Sequence, residues 1–471
     1  MVWSSLQVFV NRSFGFVIKL VLARILAPTE FGLVGMAVVF TSFVEVLNDL
    51  GIAAALVQRK EEKLTEKHFH TAFWTGVAWS IVTYFVMVFL VAPFAVNFYT
   101  EPLLGKIIPV LSLGILSSPV NLVHRAQLTR KMDFKKLAFI NNFSSIFSGI
   151  LSLILAFLGA GVWSLVFNSV ATFIIAMPMY FNATKWRPKI IWDKDAFKDV
   201  FGFGVYTTGT NLFNNLMNKL DYLLIGKLVS AAALGNYTLA FVLTDTFRSQ
   251  VMGIINKVMY PVYGRVQDDK QALKKFYIMV VKFNSLIIFP MMWIFILEGE
   301  GIILTFFGEK WIDTIVPLQI LSGSILFHMM VNSNTMVIRG MGKPKLELQL
   351  QFFKSIFLYV PVLSVMIYFY GILGAAWAFF IIKFISIFIV QYYLKKLIDY
   401  TFKDLFEAMR EVVLVSLIAV VAALVIKSLF SINFAINAIL FMAIYVGGIY
   451  FLMGRELRNM IKNFKSKKLV F

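Results

Sequence analysis

Long apolar runs, each interrupted by a few polar residues and separated by short basic or turn-forming stretches, fill this chain from end to end. A run of about 20 apolar residues crosses a bilayer as a helix, and runs that long are helical rather than extended. Fourteen spans are predicted, at roughly 4–27, 31–57, 69–98, 105–128, 137–158, 162–184, 200–228, 232–262, 276–298, 312–338, 347–370, 374–396, 409–430 and 433–454, with ends set to about 3–4 residues. Several exceed the length of a crossing, which implies tilt or extension past the bilayer. Turns fall at Pro28, Pro102, Gly159, Gly161, Pro188, Gly342-Lys343-Pro344, Gly371 and Gly374. The expected fold is an all-α polytopic membrane protein of about 14 transmembrane helices, with short loops and no inserted soluble domain.

The pattern occurs twice. Ala23-Arg24-Ile25-Leu26-Ala27-Pro28-Thr29-Glu30-Phe31-Gly32 is echoed by Gly226-Lys227-Leu228-Val229-Ser230-Ala231-Ala232-Ala233-Leu234-Gly235, each followed by a long apolar helix. Placing Gly32 on Gly235 sets Arg24 on Lys227 and Ala37 on Ala240. Gly161-Val162-Trp163 and Gly374-Ala375-Ala376-Trp377 open spans six and twelve, and Arg130-Lys131-Met132 and Arg339-Gly340-Met341 close spans four and ten. The copies begin at spans one and seven, both odd, so the repeat is parallel and its pseudo-two-fold axis lies along the membrane normal. The expected organisation is a six-helix lobe over 1–184, a cytoplasmic linker over 185–199, a second six-helix lobe over 200–396, and two additional helices with a basic tail over 397–471.

Composition agrees with this class: of 471 residues, 59% are hydrophobic and 15% charged, against roughly 45–50% and 25% in soluble domains. The net charge of +19 is spread over short clusters between alternate spans. About 30 of the 44 Lys and Arg lie on one side and about five on the other, so both termini are expected in the cytoplasm. That distribution argues against nucleic-acid binding. With no cysteine, disulfides, thiolate metal sites and a catalytic thiol are excluded. The N-terminal run is too long, and too interrupted by Arg12 and Lys19, for a cleaved signal.

Nine cations fall inside apolar runs: Arg12, Lys19, Arg125, Lys219, Arg248, Lys257, Lys282, Lys354 and Lys383. An intramembrane charge costs about 2.5–3.5 kcal/mol and normally faces a polar interior, whereas one near a span end snorkels; Arg125, Lys257 and Lys282 are read as snorkelling. Ser5, Arg12 and Lys19 recur every seven residues on one face of span one, with Asn11 and Gly15 beside them. Span two gathers Thr41, Ser42, Glu45, Asn48 and Asp49. Span seven carries Asn211, Asn214, Asn215 and Asn218 at helical spacing, flanked by Lys219 and Asp221. Span eight aligns Asp245, Arg248, Ser249 and Asn256. Each residue alone is equally well read as interhelical glue, but four such faces on repeat-related helices point to one solvated pathway. His328, on span ten, is read as a packing residue. Repeat equivalence pairs Glu45 with Arg248, an acid and a base that could form a gate; Asp245, one turn from Arg248, is the local alternative. No P-loop occurs, and the histidines lack metal-ligand spacing.

Taken together, Trp3-Ser4-Ser5, Leu22 to Leu33, Asp49-Leu50-Gly51-Ile52, Ala54 to Lys60, Leu234-Gly235-Asn236-Tyr237 and Pro261 to Gln267 resemble the polysaccharide transporter (oligosaccharide flippase) family. That family belongs to the multidrug/oligosaccharidyl-lipid/polysaccharide exporter superfamily, and the branch with colanic-acid and teichuronic-acid exporters and O-antigen flippases is the most similar. The resemblance covers nearly the whole chain. It implies two lobes that rock to give alternating access in the bacterial cytoplasmic membrane. The implied substrate is an oligosaccharide on undecaprenyl pyrophosphate, destined for cell-surface polysaccharide. Asn11-Arg12-Ser13-Phe14-Gly15 is similar to the first-helix segment of lipid II flippases, where an arginine faces the cavity, and Arg12 falls on that position. Where those flippases carry a cation on the second helix, this chain has Glu45 and Asp49.

The expected substrate-binding residues are Asn11, Arg12, Lys19, Asn211, Asn215, Asn218, Lys219 and Arg248; guanidinium binds pyrophosphate bidentately. Glu45, Asp49, Asp221 and Asp245 are the ion-coupling or gating candidates, for a proton or sodium gradient. No cofactor, metal or catalytic residue is expected. A monomer is expected to suffice, with glycan polymerase and glycosyltransferases as partners. A multidrug cation exporter of the same superfamily remains an alternative, although its cavity should be acidic. A membrane enzyme on lipid-linked sugar would need a long extracytoplasmic loop, and none occurs.

Overall fold

The computed structural model describes the backbone of residues 2–49, 52–59, 62, 64–430 and 432–465, and side chains there except at 2–13, 49, 53, 54, 200–210 and 455–465. Among the described residues the secondary structure is helical, with no strand. The helices are α1 (Val2–Ile25), α2 (Pro28–Asp49, continued by a short helix Ile52–Gln58), α3 (Glu66–Tyr99), α4 (Leu104–Arg130), α5 (Phe134–Phe157), α6 (Val162–Thr184), α7 (Lys194–Leu228), α8 (Ala231–Arg265), α9 (Lys270–Phe306), α10 (Glu309–Gly340), α11 (Pro344–Ile398), α12 (Phe402–Phe430) and α13 (Phe434–Lys465). Ten of these are long and apolar enough to cross a membrane among the described residues, so this is a multi-pass membrane protein. α8 lies outside that set because Asn236, Asp245, Arg248 and Asn256 dilute its apolar surface.

Helix ends follow local chemistry. Asp193 and Asp269 each accept two backbone N–H groups of the turn they open, satisfying donors that no intrahelical carbonyl reaches. Hydrogen bonds from the Ala196 amide and from Lys67 hold the Asp193 carboxyl below its ordinary range. Glu30 reaches back to the Ala27 N–H at 2.7 Å, and Ser230 accepts from Ala233 N–H at 3.1 Å.

The chain forms two compact units, residues 1–238 and 239–471. In the first, α1 packs on α5 around Ile18, Leu22 and Leu26, and α7 packs on α2. The segment after α6 is strapped to the start of α3. Trp186 Nε1 donates to Glu66, Lys189 N–H to His70 Nδ1, Trp192 Nε1 to Thr75 and Asp193 N–H to Thr71, at 3.0–3.2 Å.

In the second unit, α9 carries α12 and α13. Lys282 Nζ meets Glu411 at 2.7 Å. Glu298, 2% exposed, accepts from Lys427 Nζ at 2.8 Å and Asn437 Nδ2 at 2.6 Å. Lys282, expected from its place in the sequence to snorkel, is instead buried and paired.

Turns recur between the halves. Met132 and Gly342 both have positive φ (55° and 69°), and the enclosing bonds, Asp133 N to Leu128 O and Lys343 N to Ile338 O, measure 3.0 and 3.1 Å. The pairs stand 210 positions apart. At the same offset, Gly161 (φ 55°, ψ −131°) and Gly371 (φ 57°, ψ −133°) share a conformation open essentially to glycine alone. The sequence echo had set Gly161 against Gly374, three residues late. Gly374 has a different role: a Cβ there would lie 1.8 Å from Met366 O.

Candidate functional site

The repeated motif read from the sequence is a contact within the first unit. A Cβ at Gly32 would lie 1.7 Å from Ala231 O, and a Cβ at Gly235 would lie 1.8 Å from Pro28 O. Pro28 and Ala231 are separated by the same 203 positions as Gly32 and Gly235. The two contacts are therefore repeat equivalents of one another, the pattern a local two-fold produces. The starts of α2 and α8 cross with backbone against backbone, which only glycine permits. Beside the crossing, Asp221 is buried and accepts from Tyr237 OH and Tyr222 N–H, both at 2.9 Å. Lys227 Nζ donates to Phe98 O at 2.5 Å.

Further along the same helices the polar faces converge. Asn215 Nδ2 donates to Ser42 Oγ at 3.3 Å, joining α7 to α2. Lys219 Nζ stands 4.8 Å from the Tyr222 ring centre and within electrostatic range of Lys19, Glu45 and Asp221. Asn211, Asn218, Lys19 and Glu45 are exposed, while Asn214, Asn215 and Lys219 are half-buried. Lys19 opens into a groove of about 210 Å³ between α1, α5 and α6, lined also by Gly15, Ser145, Asn168, Ser169 and Thr172. Among the described residues no carboxylate lies within ion-pair distance of Lys19 or Lys219. Two ammonium groups acting on one another inside a membrane protein raise the free energy unless an anion or water compensates.

Of the expected site residues in the first unit, the structure brings Lys19, Glu45, Asn215 and Lys219 into one neighbourhood. Asp221 stands apart from the exposed face as a buried acceptor. The side chains of Asn11, Arg12 and Asp49 lie outside the described residues. In the second unit, Arg248 Nε donates to Asp245 Oδ1 at 2.9 Å, so Arg248 pairs with its own helix in this conformation. The α5 and α6 groove residues were not singled out from sequence. Their signal was present in the serine run Ser144, Ser145, Ser148 and Ser152, at spacings of about one helical turn. Part of that run is glue: Ser148 Oγ meets Thr172 Oγ1 at 2.6 Å, and Ser152 Oγ donates to Ser164 O at 2.7 Å. Ser145 and Thr172 also line the groove. Among the described residues, no His, Cys, Asp and Glu group could hold a metal.

Known proteins place this architecture. The chain is 25% identical over 418 residues to the teichuronic acid biosynthesis protein TuaB of Bacillus subtilis, covering 88% of this chain and 85% of that one. It is 24% identical over 390 residues to the lipopolysaccharide biosynthesis protein WzxC of Escherichia coli, covering 82% and 78%. Its fold is that of the lipid II flippase MurJ in an inward closed conformation, with a TM-score of 0.77 at 17% identity, over 97% of this chain and all of that one. The profile of the polysaccharide biosynthesis protein family matches residues 21–316, well over half of the sequence, and the chain belongs to that family.

Proposed function

We propose that this protein is a flippase that carries a lipid-linked oligosaccharide across the bacterial cytoplasmic membrane for polysaccharide biosynthesis. The observation that carries the reading is the placement of Lys19 and Lys219, two cations that form no ion pair among the described residues, on the polar faces of a fold shared with a lipid II flippase. A pyrophosphate crossing the bilayer needs such compensation. The prenyl chain stays in lipid while the sugar follows the polar faces.

In this reading the chain crosses 14 times, with Gly371 as an extracytoplasmic turn and both termini cytoplasmic. Lobes 1–184 and 200–396 are the rocking bodies, residues 185–199 link them, and 397–471 is an addition. Arg12, Lys19 and Lys219 take the pyrophosphate and Asn211, Asn215 and Asn218 the sugar hydroxyls, and Arg248 is the substrate-binding candidate of the second unit. Asn11 is assigned to the substrate with Arg12. Glu45 and Asp49 would couple a proton or sodium gradient. The matching turns at a 210-residue offset and the reciprocal glycine contacts support the repeat. A single copy contains every group named, and glycosyltransferases and a polymerase would supply and consume the substrate.

Arg12→Ala should abolish surface glycan while the protein remains in the membrane, with lipid-linked oligosaccharide accumulating inside, as read by mass spectrometry. Arg12→Lys should restore part of the export, because charge survives and the bidentate fork does not. Full export by the Ala variant at normal expression overturns the assignment of Arg12. A deletion strain that accumulates no lipid-linked sugar overturns the flippase.

A further inference from the structure

The strap between α6 and α7 carries large apolar side chains where a water-facing linker would be polar. Lys185-Trp186-Arg187-Pro188-Lys189-Ile190-Ile191-Trp192-Asp193 lies outside any helix. Ile190 is 91% exposed and Trp192 57% exposed, with Ile191 exposed between them. Three successive exposed apolar residues have a function or are a liability. The tip that bears them is held rigidly. On the way out, Trp186 Nε1 donates to Glu66, Lys189 N–H to His70 Nδ1, and Trp74 Nε1 to Lys189 O. On the way back, Trp192 Nε1 donates to Thr75 Oγ1, Asp193 N–H donates to Thr71, and Lys67 Nζ meets Asp193 at 3.3 Å. Ile191 N–H turns onto Lys189 O at 2.8 Å to close the tip. The partners at 66, 67, 70, 71, 74 and 75 recur at helical spacing, on one face of α3.

α3 also gives the depth of the tip. Its 34 residues extend about 50 Å against a hydrocarbon core of about 30 Å, so a centred helix projects roughly 10 Å at each end. Thr75, level with Trp192, lies about 13 Å along α3 from Glu66, close to where the hydrocarbon begins. The large exposed apolar side chains of α3 itself start at Trp79 and continue through Ile81, Val82, Phe85 and Phe89. Ile190 and Trp192 thus extend that lipid-facing surface outward by about one helical turn. Lys185, Arg187, Lys189 and Lys194, all exposed, flank the tip. Two acids of the segment are engaged, Asp193 with Lys67 and Asp199 with Arg59, and Asp195 is the third.

We propose that Ile190, Ile191 and Trp192 form a wedge seated in the interfacial layer of the membrane, with Lys185, Arg187, Lys189 and Lys194 on lipid phosphates. The strap is then fastened on two sides, to α3 by hydrogen bonds and to the bilayer by the wedge. A tryptophan at headgroup level beside basic residues is the pattern that a lipid surface fits. A second copy of the chain fits poorly, because tips meeting one another would bring two sets of cations together. The inference rests on α3 crossing the membrane and is independent of the cargo.

The chain has no cysteine, so Ile190→Cys can carry a single polarity-sensitive fluorophore on the purified full chain in nanodiscs containing anionic phospholipid. Lys131→Cys, at an exposed position, carries the same label as the water reference. At position 190 the emission should be blue-shifted from that reference and protected from iodide. A nitroxide at the top of the lipid acyl chain should quench it, and one at the chain end should quench it less. Emission and iodide quenching equal to the reference would show a loop in water and overturn the wedge. A blue shift without nitroxide quenching would mean that protein covers the tip, and stronger quenching from the chain end would place it inside the hydrocarbon; either result overturns the wedge. Adding Lys185→Gln, Arg187→Gln and Lys189→Gln together to the labelled chain should shift the emission back toward the reference, and unchanged emission would overturn the role of the cations. These side chains are exposed, and the strap bonds of residue 189 use its backbone, so the fold tolerates the change.

Discussion

Glu298 is a buried carboxylate whose two partners come from different helices, Lys427 of α12 and Asn437 of α13. Removing one member of such a group leaves the others desolvated without compensation, typically worth 3–5 kcal/mol. Lys427 is partly exposed and can rehydrate, so Glu298→Ala should lower unfolding stability by about 3 kcal/mol, with Glu298→Gln less severe because an amide still accepts from Asn437. A thermal-unfolding midpoint unchanged by either variant would show the network to be energetically idle. This residue was not legible in the sequence, because Gly299-Glu300-Gly301 reads as the end of a span. The helix instead runs on to Phe306, and Gly301 makes room for Phe434, whose Cγ would lie 2.5 Å from a Cβ there. By contrast, Lys19, Glu45, Asn215 and Lys219 were legible, since helical periodicity alone assigns polar residues to one face. Asp221 shows the limit of that method. Periodicity cannot distinguish a carboxylate facing a pathway from one buried against Tyr237.

At the scale of elements, the informative feature is the crossing of α2 and α8. A Cβ at 1.7 or 1.8 Å from a carbonyl oxygen falls far short of the roughly 3.3 Å of a close C···O contact. Gly32→Ala or Gly235→Ala must therefore move the helices apart by roughly 1.5 Å, at a cost of about 1–3 kcal/mol for an overpacked contact. Each variant should lose glycan export and melt earlier, whereas Gly447→Ala, where a Cβ meets nothing within 4 Å, should do neither. Normal export by both crossing variants would remove this contact from the transport cycle. The motif was visible in sequence because small residues recurred at a fixed offset. Its meaning was not, because close approach is a property of two helices and a sequence displays one at a time. The turn at Gly371 was misaligned for a similar reason: Trp163 and Trp377 are conspicuous, but backbone conformation, not tryptophan, marks the equivalent position.

For the whole molecule, the decisive question is how often the chain crosses. The helical stretch Pro344–Ile398 has 55 residues. Drawn straight it would reach about 80 Å, against a hydrocarbon core of about 30 Å, so one crossing cannot accommodate it. Gly371, with its positive φ, divides it into two parts of about 40 Å each, and each part alone spans comfortably. In the proposed topology two crossings would return the chain to the side from which it came, and the basic clusters after α4, α6, α8, α10 and α11 would share one side of the membrane, as the positive-inside rule requires. A single crossing would place Lys395, Lys396 and Arg410 opposite Arg339 and Lys343. The chain contains no cysteine, so single introduced thiols report topology without background. Tyr370→Cys and Glu309→Cys, both at exposed positions, should react in intact cells with a membrane-impermeant maleimide. Lys131→Cys and Lys343→Cys, also exposed, should react only after the cells are opened. Tyr370→Cys silent in intact cells, with Glu309→Cys labelled, would mean that α11 does not turn outside, and the 14-span arrangement would fall with it.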